Sequence, residues 1–540
     1  MNVTRYKFIP ALLCSALWLL LSPLPAFSAS GAAGRGLAGI GPDFSVDSSF
    51  RSHLPLLVFE TGDSETRLEV YASYTGSNSL QHVPQATLSV AMLEEPGHGD
   101  AGKRSYSLAL GNYPLADAAQ VRDISLAGLP EDRRWRLQGS LRDKGMLRNG
   151  LAYEIGRILF PVDTPATRYC EVLFKRNGRY EYRGIYILAQ SLEGLFARRS
   201  AGSVETDGGI LLHYSPDRNR MRQVRGEAGD EVVYGWSLQD RGFRTVYPLT
   251  GVTITLEGRM EMAIDRLEKT LDSLQPGTYL EYMSQLDQES ARDIFLLNAL
   301  LLNTRDSVSF FLARKADDQL QMLPDWNFDT AIDNAPLRRR PLPFEQEPPD
   351  VAPPSALAKR IPVWRQLEDG KGIRGLRLYP VYESLDGGSF LWFDRLFLSK
   401  PFLTGLAARY AGLRRDSLAP ERVRAIVDSL ATRLGPALER DWRRWQREYT
   451  ATQGHCALLP YTDTEGEIHI RQTTSYDQEL VKIRYSLREQ DAFLAGQMGQ
   501  IGWLSADLFD RAMDGNRQAG YALAVMAAFL FLTYMLTRKL

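Results

Sequence analysis

The sequence predicts an α+β protein with a β-rich N-terminal part and a helical C-terminal part. Three observations carry this expectation. Apolar and polar residues alternate with period two in early runs such as 66–71 and 87–91, an Asn177-Gly178 pair separates two extended runs, and apolar residues recur at helical spacing from Asp143 onward.

Order is expected to begin with Leu54-Pro55-Leu56-Leu57-Val58-Phe59, after a Gly/Ala/Ser-rich lead-in over residues 29–53. The alternating runs that follow read as strands of a half-exposed sheet. Leu147, Leu151, Ile155 and Leu159 share one face of a helix, and Asp143 stands where it can cap the first turn. Next, Tyr169–Phe174 and Arg179–Leu188 flank Asn177-Gly178, the strongest short hairpin signal. Residues 260–275 and 287–303 read as helices. The second is apolar nearly all round (Ile294–Leu297, Leu300–Leu302) and belongs in the core. Ser309–Arg314 and Gln319–Leu323 form a second expected hairpin. Residues 336–354, with seven prolines and Arg338-Arg339-Arg340, read as an exposed loop, and 388–450 is helical again.

Composition narrows the classes of function. The chain has 540 residues, 44% hydrophobic and 24% charged, which excludes a disordered or fibrous protein. A formal net charge of -1 gives no general attraction to nucleic acid, so no nucleic-acid partner is expected. Three cysteines exclude a disulfide-dense scaffold and a Cys-rich zinc site. Cys170 and Cys456 are either one long-range disulfide or two buried thiols.

The ends suggest a compartment. Arg5 and Lys7 precede an apolar run, Phe8–Leu21, and Ala26-Phe27-Ser28 supplies small residues for cleavage, so residues 1–28 read as a signal peptide. Ala519–Thr537 spans 19 residues without a charge and reads as a membrane-crossing helix, with 451–518 as a helical juxtamembrane stalk and 538–540 as a cytoplasmic tail. The expected location is the cytoplasmic membrane, single-pass, with the body on the periplasmic side and the membrane itself as a partner.

Chemistry is sought first by elimination. The sequence has no Walker A motif, no Gly-x-Ser-x-Gly and no His-Glu-x-x-His among its six histidines. What stands out is a polar cluster after the buried helix: Asn303-Thr304-Arg305-Asp306, then Ser309, then Pro324-Asp325-Trp326-Asn327-Phe328-Asp329. Two acidic sites joined by a hairpin suit phosphoryl transfer, where one carboxylate serves the nucleophile and a second oxygen set holds Mg²⁺. Turn-capping aspartates, or the paired carboxylates of a carbohydrate-modifying enzyme, fit the same spacing.

Several of these runs resemble the CotH (spore coat protein H) kinase family. They are Asp123–Asp132 with Trp135-Arg136-Leu137, Asp143–Tyr153, Cys170–Phe174 with Asn177-Gly178 and Tyr182–Leu188, and the two acidic motifs. The resemblance covers residues 54–450. It implies a bilobal protein-kinase-like fold that transfers phosphate from ATP, with Mg²⁺ or Mn²⁺, to Ser/Thr of an envelope or secreted protein. Carried over, Asp306 is the catalytic base; Asn327, Asp329 and Asp325 are metal ligands; and Lys103, Arg104, Arg148 and Gln190 belong to the nucleotide site.

Three departures stand against the family pattern. Asn327 replaces an acid in the Trp-Asp-Phe-Asp motif, Gln190 stands where the family places Glu, and the Gly-rich segment is blurred over 95–102. They motivate an alternative, a catalytically impaired pseudokinase that acts as an envelope binding or scaffold protein.

Overall fold

The structure is a computed structural model. It describes residues 44–505 except 63–65, 74–75, 96–101, 113–120, 202–209, 215–242, 248–253, 273–282, 304–307, 313–318, 333–392, 397–398, 452–457, 463–467 and 474. The signal peptide, the Pro-rich loop and Cys456 lie outside the described residues, and Cys170 is a free, buried thiol.

The first part consists of β1 (Ser45–Val46), β2 (Arg51–Ser52), β3 (Leu56–Thr61), β4 (Thr66–Tyr71), β5 (Asn78–Ser79), β6 (Ala86–Glu94), β7 (Tyr106–Asn112), β8 (Arg134–Gln138), α1 (Arg148–Leu159), β9 (Thr167–Arg176) and β10 (Arg179–Gln190). Strands β10, β8, β7, β6, β4, β3 and β9 are hydrogen-bonded in that order, and β9 pairs again with β10, so seven strands close on themselves. All neighbours in the ring are antiparallel except β3 and β9, which run parallel from Leu56↔Glu171 to Glu60↔Lys175. Inward side chains such as Phe59, Val70, Leu108, Trp135, Leu137, Val172 and Leu188 fill the interior. A barrel of this size has room for side chains and little else.

This corrects the expected bilobal protein-kinase-like fold: the N-terminal part is a closed mixed β-barrel. The ring is closed by the parallel pairing of β3 with β9, two strands more than a hundred residues apart in sequence. Strand β10 pairs with β9 from Arg179 to Ala189 on one edge and with β8 from Ile187 to Gln190 on the other, and Gly184, at φ +96, opens a bulge where its register to β9 shifts. Period-two alternation looks the same in an open sheet and in a closed one.

The second part contains α2 (Leu192–Ala201), β11 (Ile210–Tyr214), β12 (Phe243–Tyr247), α3 (Ile254–Asp272), α4 (Gln288–Leu300), β13 (Val308–Leu312), β14 (Leu320–Leu323), α5 (Phe393–Leu396), α6 (Lys400–Arg415), α7 (Pro420–Ala451), β15 (Leu458–Thr462), β16 (Ile468–Gln472) and α8 (Tyr476–Ser505). Strands β12, β11, β13 and β14 form a small antiparallel sheet. Asp287 caps α4 by accepting from Glu289 N at 2.9 Å and Ser290 N at 3.1 Å, and the helix is buried as its apolar sequence requires. Helix α7 breaks at Gly435, where φ is 37°, just before Pro436. Its later half docks on the barrel at the bulge, where Asp441 accepts from Ile185 N at 2.8 Å and Trp445 donates to the Arg183 carbonyl at 3.1 Å.

Residues of the expected stalk form α8, which packs on the body. Ile483, Leu494, Met498 and Ile501 join the same core as α4, and Gln490 donates to the Ala299 carbonyl at 2.7 Å. The expected membrane partner and single-pass location are corrected as well. No helix among the described residues is long and apolar enough to cross a membrane, and 519–537 lie outside those residues.

Candidate functional site

The candidate site lies on the outer wall of the barrel, where β8 and α1 meet the loop after β14. Alternation in β8 turns Trp135 and Leu137 into the barrel, which leaves Arg136 and Gln138 facing outward. Both donate to the Trp326 carbonyl, Arg136 Nη1 at 3.2 Å and Gln138 Nε2 at 3.3 Å. Trp326 sits at φ 56, a strained setting for a side-chain-bearing residue. Its ring stacks on Tyr153 of α1, with centroids 5.0 Å apart and planes 10° apart. The ring also lies against Gly156, where a Cβ would come within 2.4 Å of it.

Asn149, in the first turn of α1, holds the rest of the loop. Its Oδ1 accepts from Phe328 N at 2.8 Å, and its Nδ2 donates to Asp329 Oδ1. Asp325 Oδ1 accepts from Asn327 N at 3.2 Å, closing a turn. The three polar residues 325, 327 and 329 thus belong to one short, tightly held segment. Asn327 Oδ1 is buried and has no hydrogen-bond partner. Such an atom costs free energy until something binds it.

A cation stands beside this loop. Arg136 makes a forked pair with Glu95, with contacts of 3.0 Å from Nε and 2.9 Å from Nη2. Burial opposes the Arg136 charge, but Glu95, with Asp329 adding to it, outweighs burial and holds the guanidinium firmly charged. Burial pushes the Tyr153 phenol up to about 12, with Arg136 opposing and Glu95 and Asp325 assisting. These charged groups therefore act on one small volume.

Oxygen donors only, two carboxylates and an amide, match the chemistry of a hard cation such as Mg²⁺. The orphaned Asn327 oxygen fits that use. Among the described residues there is no group of three or more His, Cys, Asp or Glu able to hold a metal, so the set relies on the uncharged amide.

The other expected site residues fall elsewhere. Lys103 has no exposed side-chain surface; its ammonium meets Asp441 at 2.6 Å, with Met146 Sδ at 3.2 Å and Tyr449 at 3.4 Å. Burial pulls its pKa down, and Asp441 counteracts that. Arg104 is at the surface, paired with Glu94. Arg148 is fully buried: it contacts Asp143 and Glu479 at 3.0 Å each and donates to the Ala331 carbonyl at 2.9 Å. Asp143 caps α1 from a distance, accepting from Arg148 N at 2.9 Å. Gln190 ends β10, and its side chain accepts from Ala166 N at 3.1 Å. Asp306 lies outside the described residues.

Arg136, Glu95 and Asn149 were not singled out by the sequence. Asn149 lay inside a matching run, which was a signal. Arg136 too lay in a matching run, Trp135-Arg136-Leu137, but an outward cation on a strand looks solvated until the loop that covers it is known.

The barrel wall thus bears an oxygen-rich loop beside a guanidinium fixed by Glu95. Residues 98–490 match the family described as CotH kinase protein. The chain belongs to the CotH kinase family, and the match continues past 450 into α8. No curated protein matches the chain.

Proposed function

We propose that this protein is a CotH-family phosphotransferase that moves the terminal phosphate of ATP to Ser or Thr of a secreted or envelope protein. The observation that carries the reading is the orphaned Asn327 oxygen between Asp325 and Asp329, within the family match. Asn327, Asp329 and Asp325 would hold Mg²⁺ or Mn²⁺. A bound divalent cation supplies neutralisation of the phosphate charge. Asn149 fixes Asp329 and the Phe328 backbone, so the ligand oxygens keep their spacing. Asp306 takes the proton of the attacking hydroxyl as the O–P bond forms and ADP leaves. Nearby, Asn303 donates to Asn298 Oδ1 at 2.7 Å, which anchors the end of α4 three residues before Asp306.

The test is transfer from terminally labelled ATP by the purified protein with Mg²⁺ or Mn²⁺, beside Asp306→Asn and Asp329→Asn. Label that appears with the wild type and falls at least about a hundredfold in both variants supports the reading. One observation favours a second reading, a binding protein without turnover: Asn327 brings an oxygen but no charge. Nucleotide binding without any transfer would select it.

A further inference from the structure

We propose that Arg136 is the residue through which this site grips the phosphates of its ligand, a metal-bridged nucleoside polyphosphate, and that Glu95 sets the plane of the guanidinium. The inference rests on the phosphotransferase reading and adds the residue that contacts the anion.

Three cations came from the sequence as phosphate contacts, and the structure occupies each of them. Lys103 is neutralised by Asp441, and Arg148 by Asp143 and Glu479, with no side-chain exposure at either cation. Arg104 is paired at the surface with Glu94, itself on β6. Arg136 is paired too, with Glu95, but it alone of these four cations combines partial exposure, 25% of its side chain, with a hydrogen bond to the acidic loop at the Trp326 carbonyl. A guanidinium carries five N–H groups. The contacts to Glu95 and to the Trp326 carbonyl occupy one on each nitrogen, which leaves two on the terminal nitrogens.

Glu95 is itself fixed. Its backbone N–H donates to the Ser105 carbonyl at 2.9 Å, and its carboxylate accepts from Ser107 Oγ at 3.2 Å. A guanidinium clamped in this way presents its remaining N–H groups in a fixed plane, the geometry that suits two phosphate oxygens. The Trp326 carbonyl ties that plane to the loop bearing Asn327 and Asp329. Cation ligands and phosphate contact therefore move as one body.

The test is equilibrium binding of ATP and of inorganic pyrophosphate, each with Mg²⁺, to the purified full chain. Arg136→Gln is expected to weaken both by about tenfold or more, the usual value of a charge-assisted hydrogen bond. Arg136→Lys, which keeps the charge and loses the fork, should fall in between and serves if the glutamine variant does not fold. Glu95→Gln separates a ligand contact from a structural ion pair: it breaks the same pair but keeps the cation, so its loss should be several-fold smaller. Equal losses in Arg136→Gln and Glu95→Gln would overturn the inference. So would unchanged binding in Arg136→Gln, which leaves the phosphotransferase reading standing. Wild-type protein that binds neither probe would overturn both.

Discussion

Glu171 has no exposure in the barrel wall, yet its carboxyl is held below its ordinary value. Burial pushes it up, and Arg440, 2.6 Å away, more than reverses that, with Tyr182 and Ser52 adding hydrogen bonds. Glu479 follows the same rule: burial raises it, and Arg148 and Lys482 bring it below its ordinary value. A depressed carboxyl contributes stability above its unfolded value and loses it as pH falls through the folded one. The melting temperature should therefore drop as pH goes below about 4.5, the unperturbed glutamate value in both cases. Asp143, raised by burial, works in the opposite direction and softens that slope. Glu171→Gln should cost about 3–5 kcal/mol at neutral pH, because it leaves Arg440 buried without its counter-charge. It should also flatten the acid slope; a slope as steep as the wild type's would refute the assignment. Such pairs were not legible beforehand. Lys103 and Arg148 were read as nucleotide-site cations, while Asp441, which pairs with Lys103, and Glu479, which joins Asp143 at Arg148, stand 338 and 331 residues along the chain. Nothing local distinguishes a paired cation from a free one.

Elements fared according to how local their causes are. Asn177-Gly178 adopts φ of 49° and 75°, the turn that matches strand twist, and the β9–β10 hairpin follows as the pair of residues requires. Helix α4, with its all-round apolar surface, and the β13–β14 hairpin also occur where the pattern put them. Closure of the barrel had no such signature, since the parallel β3–β9 seam joins strands far apart in sequence. The bulge in β10 turns on one glycine. Any Cβ at Gly184 would meet Asp441 Oδ1 at 2.2 Å on a backbone at φ +96. Gly184→Ala should thus loosen both the bulge and the docking of α7, costing roughly 2 kcal/mol or more. The check is the urea midpoint, with the dependence on denaturant unchanged; a midpoint within error of the wild type would contradict the role given to the bulge. The acidic loop sits between these cases: its residues were legible as a motif, but its grip by Asn149, Gln138 and Arg136 depends on tertiary packing.

At the scale of the molecule, barrel and helices are tied by buried charge as well as by apolar contact. Helix α8 supplies Glu479 to Arg148 and covers the core around α4, so ending the chain after residue 474 removes both. That shortened protein should lose its cooperative thermal transition and aggregate, whereas ending it after Ser505 removes no described contact. A sharp transition at the wild-type temperature in the shorter form would show that α8 is dispensable. The Arg148–Glu479 pair also has a consequence in time. During synthesis at roughly 5–20 residues per second, Arg148 leaves the ribosome on the order of 15–65 s before Glu479, which lies 331 residues later. Through that interval Arg148 has only Asp143 of its two carboxylate partners. The acidic loop, tied to Arg148 through the Ala331 carbonyl, would then reach its final setting only near the end of translation. The loop that carries Asp325, Asn327 and Asp329 is then among the last parts of the molecule to be set, once almost the whole polypeptide has been made.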